Sequence, residues 1–401
     1  MGDIHIFDLP VDIRVEFSEN YRNKIFKSIN TKDLAYAIKC KEQTIRRWKC
    51  GEVLPTISDL LKIFSFAKLD VKELERNVKS FRAKKGFINN PKLPLNISSD
   101  IGLILAGVLG DGGVTYKHCK LFYANKNERL VNSFIDAVRN IFGDVKYRLI
   151  LHSDGVKVVE ITSIVGKILL KVFGLPRGDK TLLNYELPNL LFETLDKSLV
   201  IKFLRRFYDD EGYVHKSGAI VLRTSIEKSL TSNKIPNRLL GLSLLLNKLG
   251  IKTSKPAKVS ERLRVARGAQ SPNPTEVEDW EIKIYHKKYL LQFLEVVGFE
   301  STQKNAVLKQ IIDSISRYES PKGEGLIYYL QKARELSTTF TSRDLQLKSN
   351  RGKEIANSAI IKLKNLGFLE AVGKLRGKGA PPSYRITEKG LQADSIRDKI
   401  K

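Results

Sequence analysis

The sequence predicts an α+β fold: a duplicated core of helix, two strands, helix, strand pair and helix, with an all-α domain before it and a mixed domain after it. Three observations lead there. Apolar residues recur at spacings of three and four through Leu34, Ala37, Ile38, Ile45 and Trp48, then at Leu60, Leu61 and Phe64, the period of helices with one buried face. Two apolar runs, Ile104–Gly113 (ILAGVLGDGG) and Phe203–Gly212 (FLRRFYDDEG), each end on an acid followed by Gly and lead into a strand-like segment. Near the C-terminus an amphipathic run from Lys353 stops at Gly367, and the strand-like Phe368-Leu-Glu-Ala-Val follows.

Composition narrows the functions available. The 401 residues exceed what one core organises. Lys and Arg number 70 against 44 Asp and Glu, a net charge of +26 spread along the chain, with a pI near 9.8. Such a surface favours a polyanionic partner, because neutralising phosphates releases condensed counterions. Cys40, Cys50 and Cys119 are odd in number and lack CxxC spacing, which argues against a disulfide framework or a zinc module and for the cytoplasm. No secretory leader and no long apolar run is visible, so neither secretion nor a membrane partner is expected. His5, His118, His152, His215 and His286 show no ligand spacing, and neither GxxxxGK[ST] nor GxGxxG occurs, so no nucleotide or other small-molecule substrate is expected.

Taken in order, residues 1–82 read as the helical domain and the basic, Pro-containing stretch 83–97 as a linker. Residues 98–200 and 201–317 read as two copies of one unit. Asp111 and Glu211 lie 100 residues apart. After them Asn127-Glu-Arg-Leu-Val…Ile141-Phe-Gly matches Asn237-Arg-Leu-Leu…Leu249-Gly-Ile, and Glu160-Ile-Thr…Leu169-Leu matches Glu281-Ile-Lys…Leu290-Leu. A later basic residue recurs as Lys180 and Lys304. Residues 318–401 form the last domain.

Gly102, Ala106 and Gly110 fall four apart on one stripe of the first acidic helix, so its backbone can approach a partner closely. The equivalent second-half helix is the simplest partner. Packed about a pseudo-two-fold axis, the pair brings Asp111 and Glu211 together, where two carboxylates can hold hard, oxygen-seeking cations. Two such ions suit in-line phosphodiester hydrolysis.

On these motifs the section 98–317 resembles a single-chain, double-motif LAGLIDADG homing endonuclease. The first motif is similar to the family's L-A-G-L-L-G-D-G variant and the second to its F-L-R-G-x-x-D-x-E-G form. The resemblance implies an αββαββα core duplicated into a saddle that lies along double-stranded DNA and works as a pseudo-dimeric monomer. It implies Asp111 and Glu211 as catalytic metal ligands for two or more Mg²⁺ ions, and a strand lysine after each motif. Lys126 fits that place in the first half; Lys228 or Lys216 are the candidates in the second. Arg206 departs from the pattern, standing where the family has Gly, and is expected on the helix interface unless it snorkels or pairs with an acid. Asp209 and Asp210 add acids beside Glu211, and the choice among the three is the family's.

The segment Thr31–Pro55 resembles a Cro/repressor helix-turn-helix. Leu34, Ala35 and Ile38 pack one helix inward, Ile45 and Trp48 anchor the next, and Lys41, Gln43, Thr44, Arg46 and Arg47 stay available to a major groove. The last domain resembles a winged helix, with Lys353 and Asn357 on its recognition-type helix and Lys374, Arg376 and Lys378 in a basic wing. The function expected is site-specific, metal-dependent cleavage of double-stranded DNA. The alternative is a domesticated, non-cleaving core that regulates transcription, as in a bacterial group the chain also resembles.

Overall fold

The computed structural model describes residues 2–27, 29–84, 86–180, 183–215, 218–231, 234–264, 274–314, 325–336, 338–349, 351–374 and 382–393. Contacts divide the chain into two compact units, Met1–Lys309 and Gln310–Lys401. The class is α+β, with antiparallel sheets throughout.

The first unit opens with β1 (Arg14–Phe17) and five helices: α1 (Glu19–Lys27), α2 (Thr31–Ile38), α3 (Glu42–Cys50), α4 (Ile57–Ala67) and α5 (Val71–Arg76). Local chemistry sets their ends. Asn30 accepts from the Lys32 amide at 2.9 Å to start α2, Gly51 closes α3 at a φ of 76°, and Thr56 and Asp59 form a reciprocal capping box on α4. Leu34, Ile38, Ile45, Trp48 and Leu60 of the periodic residues are buried, together with Ile63, whereas Ala37 and Leu61 are exposed and Phe64 is half-buried.

The stretch 83–97, expected as a linker, is built into the fold. Strands β2 (Val78–Ala83) and β3 (Gly86–Asn89) form an antiparallel pair, with β1 on one side and the short β6 (Asp144–Val145) on the other. Leu95 then exchanges backbone hydrogen bonds with Ile4 at 2.8 and 3.1 Å. Val15, Phe17, Val78, Phe81 and Ile88 are buried, so short apolar strands outweigh the local Pro and Lys content.

The core follows as α6 (Ser99–Leu109), β4 (Gly112–Val114), β5 (Leu121–Asn125), α7 (Glu128–Phe142), β6, β7 (Tyr147–Leu151), β8 (Lys157–Ile161) and α8 (Ser163–Phe173). After the short α9 (Leu190–Glu193) the plan repeats. It runs α10 (Lys197–Glu211), β9 (Gly212–His215), β10 (Ala219–Glu227), the short α11 (Lys228–Thr231), α12 (Asn237–Lys248), β11 (Ala257–Arg264), β12 (Thr275–Ile284) and α13 (Lys287–Gln292), then a π-helical turn at Phe293–Val297. The two sheets share one order, β4-β5-β8-β7 and β9-β10-β12-β11. The second is longer, with nine and ten residues in β10 and β12 against five in β5 and β8.

Helices α6 and α10 pack at backbone contact. A Cβ on Gly102 would lie 2.2 Å from the Leu199 carbonyl oxygen, and one on Gly110 would lie 2.7 Å from Asp210 Cβ. Both are tighter than side chains allow, so glycine sets the spacing of the pair.

Helix α14 (Thr302–Ser314) comes next, and the second unit has α15 (Gly325–Arg334), β13 (Phe340–Thr341), α16 (Ser342–Ser349), α17 (Lys353–Asn365), β14 (Leu369–Lys374), β15 (Pro382–Ile386) and α18 (Glu388–Leu391). Its sheet runs β13-β15-β14, and Tyr329, Leu330, Phe340, Leu345, Ile360, Leu363 and Phe368 form its core. Among the described residues no helix is long and apolar enough to cross a membrane.

Candidate functional site

The close α6–α10 contact carries the two motif acids to one end of the helix pair. Gly110 caps α6, and Asp111 follows it with one carboxylate oxygen accepting from Asn125 Nδ2 of β5 at 2.8 Å. Burial of the carboxylate and the negative charge of Glu211 raise the Asp111 pKa to about 6. Glu211, the last residue of α10, is half-buried.

Two lysines balance these acids, and they occupy matching places in the two halves. Lys180 Nζ donates to the carbonyl oxygens of Val108 at 3.0 Å and Leu109 at 2.7 Å, and to that of Gly110. Lys304 Nζ donates to those of Tyr208 at 3.3 Å, Asp209 at 2.6 Å and Gly212 at 2.7 Å. Each cation sits on the carbonyl end of a motif helix, where the helix dipole favours positive charge. Burial lowers the Lys180 pKa to about 8 although Glu211, Asp111 and Asp210 pull it up, and burial lowers that of Lys304 as well.

The three consecutive acids of the second motif part company. Asp209 accepts the backbone amides of Glu300 at 2.5 Å and Ser301 at 3.1 Å, which positions the start of α14 and with it Lys304. Asp210 lies against Gly110, and one of its oxygens accepts the Tyr123 hydroxyl at 2.7 Å. Its other oxygen is buried without a partner, and burial and the Asp111 charge hold its carboxyl well above the usual range. Glu211 is half-buried and lines a cavity together with Lys180.

Arg206, expected on the helix interface, turns away from it. Its guanidinium donates to the Leu130 carbonyl at 2.9 Å and to the Ser133 hydroxyl, both on α7, and to Tyr123 Oη at 3.3 Å. It also pairs with Glu300 at 3.3 Å and lies over the Tyr123 ring. A guanidinium 1 % exposed is tolerable only with such partners. The α6–α10 spacing is therefore undisturbed by it.

The remaining sequence-selected residues lie elsewhere. Lys126 is exposed one residue beyond Asn125, whereas the cations acting on Asp111 are Lys180 and Lys304. Lys228 pairs with Glu261 at 3.1 Å and Glu276 at 3.3 Å, and Lys216 lies outside the described residues. On α3 and the turn before it Lys41, Gln43, Arg46 and Arg47 are exposed and Thr44 half-buried. Arg46 bonds Glu42 at 2.8 Å and Arg47 pairs with Glu52 at 3.4 Å. Lys353 begins α17, Asn357 is half-buried on it, and Lys374 ends β14; Arg376 and Lys378 lie outside the described residues. The recurrence of Lys180 and Lys304 was the one sequence signal for the lysines that reach the acids.

Among known proteins, solved structures similar to this chain are those of the homing endonuclease I-DmoI. Its mesophilic variants match at 14 % identity, covering 54 % of this chain and 99 % of theirs, with a TM-score of 0.31. I-DmoI in complex with DNA and Mn matches at 14 % over 51 % of this chain and 99 % of that one, TM-score 0.31. The complex with DNA and Ca matches at 16 % over 54 % and 99 %, TM-score 0.32. No family model and no curated protein matches. The functional reading rests on the geometry of the site itself.

Proposed function

We propose that this chain is a site-specific, metal-dependent endonuclease of the LAGLIDADG homing type that hydrolyses double-stranded DNA at Asp111 and Glu211. The observation that carries the reading is the paired end of α6 and α10. Two carboxylates from matching helices sit close enough for one to raise the pKa of the other, each beside a lysine fixed in the same way.

The donor set fits a hard divalent cation. Asp111 and Glu211 offer oxygen ligands whose mutual repulsion a cation would relieve, and Asn125, its Oδ1 accepting the Asn127 amide at 2.9 Å, orients Asp111 through Nδ2. Mg²⁺, an ion that keeps waters and shares substrate phosphate oxygens, would ask the protein for no more than these two carboxylates. Bound there, Mg²⁺ would supply Lewis acidity for phosphodiester hydrolysis.

The chain's own residues do the positioning. Asn125 holds the Asp111 carboxylate in one orientation. Lys180 and Lys304 fix the helix ends and keep positive charge beside the phosphate that approaches. The exposed side chains of Lys41, Gln43, Arg46 and Arg47 would extend the DNA contact as a helix-turn-helix, and α17 with the basic wing as a winged helix.

The test is selection of bound duplexes from a randomised library, followed by incubation with Mg²⁺. Cutting at one sequence supports the proposal. Tight, specific binding with no cutting in Mg²⁺ or Mn²⁺ overturns it in favour of the non-cleaving transcription regulator.

A further inference from the structure

Beside Glu211, on the side of the second sheet, a cavity of about 280 Å³ is lined by Lys180, Tyr185, Thr224, Arg238 and Arg264. Among the described residues Glu211 is the only acid in its wall. Arg264 at its edge pairs with Asp179 at 3.3 Å, but among the described residues no carboxylate pairs with Arg238. Arg238 is 7 % exposed and lies over the Tyr185 ring at 5.2 Å. One Nη donates to the Ser225 carbonyl at 2.5 Å, the other makes only long contacts with the Lys180 carbonyl at 3.5 Å and Tyr185 Oη at 3.4 Å, and Nε has no partner.

A buried guanidinium with an orphaned Nε and no counter-ion leaves unsatisfied donors and uncompensated charge. Lys180 also presents a cation whose Nζ hydrogen-bonds only to carbonyl oxygens, although the nearby Glu211, Asp111 and Asp210 offset part of its charge. Two such cations with a threonine hydroxyl in one small cavity suit a tetrahedral oxyanion, which takes the guanidinium fork through two oxygens. The first half offers no equivalent among the described residues, because Arg129, in the matching place at the start of α7, is exposed.

We propose that this cavity is a phosphate subsite, held chiefly by Arg238, that takes a backbone phosphate of nucleic acid next to the one positioned at Asp111 and Glu211. The assignment rests on the endonuclease reading for its source of phosphate, though not for its chemistry. Because the subsite belongs to one half, it would treat the two strands of a duplex unequally.

The full chain, free of metal and DNA, is titrated with inorganic phosphate against chloride at constant ionic strength, followed by ³¹P line broadening. Saturable binding is expected, weakened about tenfold in R238M, as loss of a charge-assisted pair implies, and largely retained in R238K. R238M also removes the Ser225 contact, so T224V and R264Q provide a second pair at the cavity rim, expected to weaken binding about threefold each. Phosphate binding equal to wild type in folded R238M and in both rim variants overturns the subsite. A generic duplex titrated against the same proteins identifies the source: lower DNA affinity in R238M supports backbone phosphate, and unchanged DNA affinity with lost phosphate binding assigns a free anion and overturns the proposal. Arg238-dependent phosphate and duplex binding in a chain that cuts no DNA would refute the endonuclease reading and leave the subsite standing.

Discussion

Gly102→Ala tests the link between the small-residue stripe and the site. The added methyl would sit 2.2 Å from the Leu199 carbonyl oxygen, 3.1 Å from its carbon and 3.2 Å from Phe203 N. All three are backbone atoms of α10, so no rotamer change makes room. A carbon approaches a carbonyl oxygen to about 3.3 Å, so α6 and α10 must separate by about 1 Å at this level. Two effects oppose each other. Alanine raises intrinsic helix stability by about 1 kcal/mol over glycine. Overpacking costs about 1–3 kcal/mol, and against rigid backbone the upper figure applies, leaving a net loss of about 2 kcal/mol. For a unit of this size that lowers Tm by about 4 °C, measured by scanning calorimetry. Gly325→Ala, at the start of α15 where nothing lies within 4 Å, is the control and should not lower Tm. The same separation displaces Asp111 from Glu211, and an ångström of misplacement lowers a reaction rate about a hundredfold. A G102A protein as stable and as active as wild type would refute the argument that glycine sets the helix spacing.

Asp111→Asn is expected to abolish cutting while sparing duplex binding, read by gel shift and cleavage of one substrate. The folded Asp111 holds its proton to about pH 6 while the unfolded chain releases it near pH 4, so this group makes stability fall as pH rises between them. D111N should therefore stabilise the metal-free chain above pH 6 and have no effect below about pH 4; equal midpoints at pH 8 would count against the assigned shift. Cutting by the wild type should rise through an acid limb near pH 6, where Asp111 becomes free to bind a cation, and a flat profile down to pH 5 would contradict this. Lys180→Met and Lys304→Met should each slow cutting about a hundredfold with duplex affinity nearly intact, whereas Lys126→Met should leave the rate unchanged. The reverse order would restore Lys126 as the strand lysine. Arg206→Met should destabilise the first unit by about 3 kcal/mol in denaturant unfolding, because it leaves Glu300 and the Tyr123–Asp210 pair without their cation; the R206M/E300Q double variant should recover part of the loss, and strict additivity would deny the pairing.

The Gly102–Ala106–Gly110 stripe was legible because period and residue size are local properties. So was the repeat, which returned as one strand order in two sheets. Strands β1 to β3 were not: four to six residues carry too little periodicity to outweigh the Pro and Lys around them, and their partner β6 lies more than fifty residues away.

By itself the sequence determined an α+β chain with two acid-ended helices in register, a strong positive charge and a matched later lysine in each half. Tertiary structure decided which groups meet. It gave Asp209 to the amides of Glu300 and Ser301, set Asp210 against Gly110 and left Glu211 half-open. It also turned Arg206 toward α7 and seated Lys180 and Lys304 on the motif helix ends. The physical reason is the range of the interactions. Helix caps, turns and amphipathic faces depend on neighbours a few residues apart, whereas a buried charge is placed by whatever carbonyl, hydroxyl or carboxylate the folded chain brings within about 3 Å of it.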